Sequence, residues 1–257
     1  MLELKRFLKD ILNKIFVGQE LRWKLGAYFE TRFWYLLLQG KGQKSFTDEL
    51  YGRLDPHFPF QEHLKKYVNQ ESKKLKILDV GAGPVSVLGS YWPDGPEIDI
   101  YPIDPLADKY DLILQKVKLN PKARTILCYG EKITEKFPLS FFDLVHARNS
   151  LDHSYDPIKC FQEMLAVLKE DGYIYTGHSR NEGEKENYGG FHQWNFDIID
   201  SNFCIWNKNS RYFLKDYLPS GSQIITEFDQ ESDWITLVLP NLHCRKFLKL
   251  PLCPAML

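Results

Sequence analysis

The chain predicts an α/β fold, a mainly parallel sheet flanked by helices, with a helical N-terminal extension in front of it. Three observations predict it. An apolar run, Lys76-Ile-Leu-Asp-Val80, ends in a glycine-containing corner, Gly81-Ala-Gly-Pro84. A second strand-like segment follows about twenty residues later and again closes on an acidic residue. From there to about residue 180, helical and strand-like patterns alternate. Such alternation builds parallel sheets, because each return to the same end of the sheet needs a crossover.

The elements follow in order. Ile77, Leu78 and Val80 suit a strand buried on both faces, while Gly81 and Gly83 let the backbone turn sharply and a ligand approach without meeting a Cβ. That is a nucleotide-type corner. A dinucleotide loop would want a third glycine where the chain has Ser86, so close helix packing over a pyrophosphate loses support. Glu97-Ile-Asp-Ile-Tyr-Pro-Ile103 reads as the second strand and closes on Asp104, followed by Pro105 and Leu106. A carboxylate there can accept both hydroxyls of a ribose. A third strand, Ala123–Cys128, ends at Gly130-Glu131, and a fourth begins at Phe142 and runs on through Arg148-Asn-Ser-Leu-Asp-His153. Asp156 caps a helix with Pro157 in its first turn, and Ile158, Phe161, Met164, Leu165 and Leu168 give that helix one buried face. Asp171-Gly172 is expected to stop it, and Tyr173–Thr176 to begin a fifth strand. Phe203–Asn207 is a short apolar segment and Arg211–Leu218 is read as a helix. Gln223–Phe228 and Trp234–Leu239 flank a polar turn as an antiparallel hairpin.

From about residue 74 to 180 this series resembles the class I S-adenosylmethionine-dependent methyltransferases, in particular the type 11-like group. The resemblance implies a Rossmann-like fold, a mainly parallel seven-stranded sheet with one reversed strand supplied by the terminal hairpin, and S-adenosylmethionine as cofactor. It implies that Asp79, Gly81, Ala82, Gly83 and Pro84 form the cofactor loop and that Asp104, Pro105 and Leu106 meet the ribose. It places Glu131 near the adenine amino group, and Arg148 and Asn149 between cofactor and acceptor. One departure stands out: the commonest loop has a third glycine where this chain has Val85 after Pro84, which reads as a rigidified loop.

With 257 residues, 44% of them hydrophobic, the chain can bury a substantial core. The organisation expected is a helical extension over residues 1–70, a possible lid. A methyltransferase domain follows over 71–257, with an inserted acceptor-side loop at about 178–215 and a C-terminal β-hairpin. The five cysteines, Cys128, Cys160, Cys204, Cys244 and Cys253, form no Cys-x-x-Cys pair, so a zinc site or disulfide framework is not expected and reduced thiols in a cytoplasmic protein are. No run is long enough for a membrane span, and Met1 begins a charged segment unlike a signal peptide. Residues 1–76 carry 15 Lys/Arg against 9 Asp/Glu, a balance of +6 in a chain of net charge −1. A basic portion of that kind can meet an anionic substrate, nucleic acid or a membrane surface. Leu4, Phe7, Leu8, Ile11, Leu12 and Ile15 form one apolar helix face interleaved with Lys5, Arg6, Lys9 and Lys14. Such a helix lies on its own domain, on a twin subunit of a homodimer, or peripherally on a membrane.

Aromatics at helical spacing, Trp23, Tyr28, Phe29, Phe33, Trp34 and Tyr35, mark the next segment as core or as a lid over the acceptor. Arg53 is a candidate for the cofactor carboxylate, since a guanidinium can pair with it through two hydrogen bonds. On the acceptor side, His178–Phe196 is polar and glycine-rich and leaves the carboxyl end of a strand, where open α/β sheets bind ligands. Within it Gln193, Trp194 and Asn195 offer amide hydrogen bonds and a flat wall for a hydroxylated ring. His192, ahead of His153, is the candidate base for an alcohol acceptor. Asp152 with Asn181 or Glu182 could hold magnesium, but nothing in the sequence sets their separation and no metal is expected. The function expected is methyl transfer to a small molecule, an oxygen of a saccharide or other secondary metabolite. The alternatives are an RNA methyltransferase, disfavoured by the lack of a recognisable RNA-binding motif, and a non-catalytic subunit that keeps the fold. Against the second stand Asp79, Asp104 and Glu131, which a subunit without cofactor does not need.

Overall fold

The computed structural model describes residues 19–241. The amphipathic pattern at 4–15, Cys244 and Cys253 lie outside the described residues. Two helices, α1 (Gln19–Leu38) and α2 (Lys44–Gly52), precede the first strand. A seven-stranded sheet follows, built from β1 (Lys74–Val80), β2 (Glu97–Asp104), β3 (Ile126–Leu127), β4 (Phe142–Arg148), β5 (Leu168–Ser179), β9 (Ile225–Asp229) and β10 (Trp234–Pro240). Its order is β3-β2-β1-β4-β5-β10-β9. Pairings among β1 to β5 are parallel, and β10 is the reversed strand, antiparallel to both β5 and β9. The crossover helices are α3 (Ala107–Val117) between β2 and β3, and α4 (Pro157–Val167) between β4 and β5.

Strand alternation sorts the core. Leu75 and Ile77 of β1 face a cluster with Phe60, Leu64 and Leu144, whereas Leu78 and Val80 face the larger cluster with Phe161, Met164 and Val167 of α4. Helices α1 and α2 do not extend either layer of the sheet. Leu37, Leu38 and Leu50 join Tyr110 and Leu114 of α3 in a third cluster, which lays the N-terminal helices across the end of the sheet where β1 and β2 terminate.

Several sequence expectations need correction. Helix α4 begins as expected, with Asp156 accepting the Lys159 N–H at 3.0 Å and Pro157 in the first turn, but it ends at Val167. Leu168 is already extended and paired with Phe142, and the Asn241 side-chain amide donates to the Leu168 and Lys169 carbonyls, which draws those groups out of the helix. The third strand shrinks to two residues. The stretch Arg211–Leu218 is not a helix: Arg211–Phe213 forms β8, and Leu214–Tyr217 forms a single 3-10 turn. Strand pairing overrides helical periodicity there, because Asn207 closes a tight turn by accepting the Asn209 and Ser210 amides and so sets Arg211 opposite Trp206. The apolar segment before that turn is β7 (Asn202–Trp206), and with β6 (Asn195–Ile199) and β8 it makes a separate antiparallel sheet. A one-turn helix, α5 (Glu182–Lys185), lies between β5 and β6. Phe196, Phe203 and Ile205 of the small sheet pack into the α4 side of the core, so part of the expected polar loop is interior.

Cys128, Cys160 and Cys204 are buried and free, and burial pushes the Cys128 thiol up to about 11, which leaves it unreactive. Among the described residues no helix is long and apolar enough to cross a membrane. Phe161 is fully buried at the centre of the largest cluster, so Phe161→Ala should lower unfolding stability by about 3–5 kcal/mol, read from denaturant midpoints.

Candidate active site

The corner after β1 is built by its amides. Gly81 and Ala82 donate to the Ile103 carbonyl at 2.8 and 3.1 Å, Gly83 donates to the Asp104 carboxylate at 3.2 Å, and the Thr125 hydroxyl donates to the Gly83 carbonyl at 2.6 Å. The chain can turn this way because Gly81 and Gly83 take φ of +70° and +65°. These residues floor a cavity of about 510 Å³, within the size range of small-molecule and cofactor pockets. At its edge Asp104 accepts the Gly83 and Leu106 amides, and each of its oxygens keeps a second lone pair. Burial pushes its carboxyl up to about 7, against the pull of those two amides.

Helices α1 and α2 roof the cavity with Trp23, Glu30, Phe33, Trp34, Phe46, Glu49 and Arg53. The Trp34 indole, which donates to Glu30 at 2.8 Å, lies so close over Gly83 that a Cβ there would stand 2.9 Å from the ring. Trp23 stacks near Phe191 and Tyr155, with ring centres 4.5 and 5.0 Å away, and closes the roof onto the segment before β6. Arg53 is nine-tenths buried. One of its terminal nitrogens holds Glu49 at 2.6 Å, and Glu49 also faces Arg148 at 3.7 Å, yet the Arg53 Nε has no hydrogen-bond partner. A buried guanidinium N–H left unmade is costly unless something meets it.

Opposite stands an acidic and imidazole group. Asp152 and His153 sit on the short turn after β4, and His192 comes from the segment before β6, which is tied down where the Gln193 amide donates to the Asp152 carbonyl at 3.0 Å. His192 Nδ1 lies 2.7 Å from Asp152 Oδ2, and His153 Nε2 lies 3.1 Å from His192 Nδ1. Burial pulls the His192 imidazole down, but its hydrogen bond to Asp152 and that residue's charge outweigh it, so its pKa is raised above the ordinary histidine value. Asp152 is displaced the other way: burial raises it, and the charges of His153 and His192 bring it below the usual carboxylate range. Behind them His178 is fully buried, and burial lowers its pKa to about 4, so it stands neutral, stacked on Phe196 and near Phe203.

Of the residues singled out from sequence, Gly81, Ala82, Gly83, Asp104, Pro105, Leu106, Glu131, Arg148, Asn149, Arg53, His153 and His192 all line this cavity. Glu131 accepts the Tyr155 and Asp156 amides at 2.7 and 3.1 Å and so also shapes the rim. Five others are corrected. Asp79 is buried behind the corner with both oxygens engaged, one by Ser86 at 2.6 Å and one by His146 at 2.8 Å, and it positions the loop rather than facing the cavity. Pro84 is not among the lining residues. Gln193, Trp194 and Asn195 do not line the cavity either. The Gln193 amide is held by the Tyr188 and Gly190 carbonyls, the Trp194 indole donates to the Ser154 carbonyl, and Asn195 accepts the Glu184 amide and donates to Tyr188. Asn181 bonds Asp197 and Trp206 and so does not join Asp152. The flat surfaces come instead from Trp23, Tyr129, Tyr155, Phe191 and Trp234, which are too far apart in sequence for any spacing rule to group them.

A family described as a methyltransferase domain matches residues 78–176. An uncharacterized methyltransferase of Schizosaccharomyces pombe is 32% identical over 118 residues, which cover 44% of this chain and 41% of that protein. The chain therefore matches less than half the length of this curated relative. Among solved structures, an S-adenosylmethionine-dependent methyltransferase from Thermotoga maritima is 15% identical over 86% of this chain and 99% of its own, with a TM-score of 0.47. Another from Clostridium acetobutylicum is 13% identical over 82% and 97%, with a TM-score of 0.45.

The raised Asp104 pKa has a thermodynamic consequence. Because the folded value, about 7, lies above the unfolded one, this group's contribution to stability is complete at low pH and is lost as pH rises through about 7. The melting temperature of the ligand-free protein should therefore fall between about pH 5 and pH 8, and Asp104→Asn, which cannot ionise, should flatten that slope. An unchanged slope in the variant would assign it to another group.

Proposed function

We propose that this chain, whose residues 78–176 form a class I S-adenosylmethionine-dependent methyltransferase domain, transfers the methyl group of that cofactor to an oxygen of a small hydroxylated acceptor such as a saccharide or comparable secondary metabolite. The observation that carries the reading is the pairing within one cavity of the Asp104 carboxylate, whose oxygens keep open lone pairs beside the amides they accept, and the buried Arg53 with an unmet N–H. A ribose diol and an amino-acid carboxylate are the groups those two side chains fit, and the cofactor carries both. When bound, its sulfonium supplies an already activated methyl group.

The protein's own part is alignment and exclusion of water. The glycine corner lets the cofactor approach the backbone, and Asp104 fixes the ribose. Arg53, steadied by Glu49, holds the carboxylate from the roof. In this reading α1 and α2 are a lid, with Trp34 against the corner and Trp23 against Phe191. The acceptor lies toward Asp152, His153 and His192, whose grouping suits removal of a hydroxyl proton, and its ring lies against the aromatic walls.

Calorimetry on the purified chain tests the reading. S-adenosylmethionine and S-adenosylhomocysteine should bind at micromolar levels while NAD does not. Absence of binding by both adenosyl compounds would overturn the assignment. Arg53→Met should weaken cofactor binding roughly 10- to 100-fold, the loss of a charge-assisted pair, with little change in melting temperature of the ligand-free protein. Undiminished affinity in that variant would remove Arg53 from the site.

A further inference from the structure

We propose that Asp152, His153 and His192 form a binding site for one divalent first-row transition-metal ion, open to the acceptor side of the cavity. The inference rests on the reading above for its role, but its geometry stands by itself.

Three ligand-type atoms converge. Asp152 Oδ2 and His192 Nδ1 are 2.7 Å apart, His192 Nδ1 and His153 Nε2 are 3.1 Å apart, and His153 Nε2 and Asp152 Oδ2 are 3.5 Å apart. A triangle with those sides has a circumscribed radius of about 1.8 Å, so an ion about 2.1 Å from each atom, the usual distance for imidazole nitrogen and carboxylate oxygen, sits about 1 Å above its plane. Donors around one ion stand at such separations without any movement of the chain.

Protons alone satisfy the cluster poorly. If His192 carries its proton on Nδ1 and gives it to Asp152, then His153 Nε2 meets an N–H already committed. If His153 instead gives an Nε2 proton to His192, the bare Nδ1 lone pair faces a carboxylate oxygen 2.7 Å away. The first arrangement leaves His153 Nε2 sharing a donor already spent on Asp152, and the second sets a nitrogen lone pair against a carboxylate oxygen, in a place where Asp152 is 1% exposed. A cation turns all three lone pairs into ligands. Independently, the second carboxylate oxygen, Asp152 Oδ1, is buried without a partner, which leaves it free for bidentate coordination.

The donor set selects the ion. Two imidazoles and one carboxylate favour zinc, cobalt, manganese or iron over magnesium or calcium, which prefer oxygen alone. Three protein ligands with the remaining positions toward a cavity is the pattern of a site that also binds a small molecule. His153 and His192 both face the cavity, so an acceptor hydroxyl, or two adjacent oxygens of a vicinal diol, can complete the coordination. The ion then deepens the proposed function by naming what recognises the acceptor's oxygen.

The test uses the full chain after dialysis against a chelator, titrated calorimetrically with zinc, cobalt and magnesium chlorides. One equivalent of zinc or cobalt should bind at micromolar affinity or tighter, magnesium at least 100-fold more weakly, and the cobalt form should show visible absorption bands. His153→Ala and His192→Gln should each weaken zinc binding at least 100-fold while circular dichroism shows them folded. Asp152→Asn is the third variant; if burial makes it fail to fold, the two histidine variants decide. No stoichiometric binding by the wild-type chain, equal preference for magnesium, or zinc binding that survives both histidine substitutions would overturn the site. Cofactor binding is measured separately on the metal-free wild-type chain, so its failure would sink the methyl-transfer reading and leave the metal site to stand or fall on its own titration.

Discussion

Everything in the cavity depends on where the amides of the β1 corner point. Gly81, Ala82 and Gly83 all donate to the end of β2, and the Thr125 hydroxyl, just before β3, meets the Gly83 carbonyl. The corner is therefore locked to two neighbouring strand segments, and Asp104 is brought against it as part of the same lock. A buried carboxylate usually needs such donors to persist. Here they hold Asp104 in place without exhausting its acceptors. Behind the corner Asp79 does the complementary work, holding Ser86 and His146 and so keeping the loop backed by protein rather than by water.

The roof follows from that floor. A corner without side chains at Gly81 and Gly83 leaves a recess, and the Trp34 ring fills one side of it from α1. Helix α1 accepts an equally close partner at its other end, where Gly26 has no side chain to hold off the Phe191 ring; a Cβ there would stand 2.6 Å from it. Those two contacts, eight residues apart on one helix, tie it to the β1 corner and to the segment that carries His192. The roof and the segment that carries His192 are thus mechanically joined. A change in the depth of α1 over Gly83 would also be felt at Phe191, next to the imidazoles.

The legible part of this molecule was the part written locally. Strand runs, glycine corners and the Asp156-Pro157 cap depend on a few neighbouring residues, and the order of β1 to β5 could be read from them. Asp104 and Arg53 stand out in the same way, one at a strand end and the other as a guanidinium able to pair with a carboxylate, and both line the cavity. The failures have a different physical origin. The stretch 211–218 has helical periodicity, yet a turn at Asn207 and a partner strand decide its conformation. Gln193, Trp194 and Asn195 have the chemistry of a binding surface, but their side chains donate to Gly190, Ser154 and Tyr188, contacts that only the folded chain sets. Conversely, His153 and His192 are each visible as single candidates, whereas their approach to 3.1 Å across a sequence separation of 39 is a tertiary fact.

That convergence also explains how the segment that carries His192 is held. The Asp152 backbone carbonyl accepts the Gln193 amide while its side chain meets His192, so one residue fixes both the chain and the ring of its partner segment. Trp194 then pins the same segment to the Ser154 carbonyl, just beyond His153. Gln193 and Trp194 therefore hold the two histidines in register, and Phe191, immediately before His192, packs against the His153 ring. Precision in the imidazoles is obtained by removing freedom from the residues on either side of them. A group held that tightly is suited to chemistry that tolerates little misplacement, whether it handles a proton or a metal ion, since displacements on the order of 1 Å at a reacting centre cost about a hundredfold in rate.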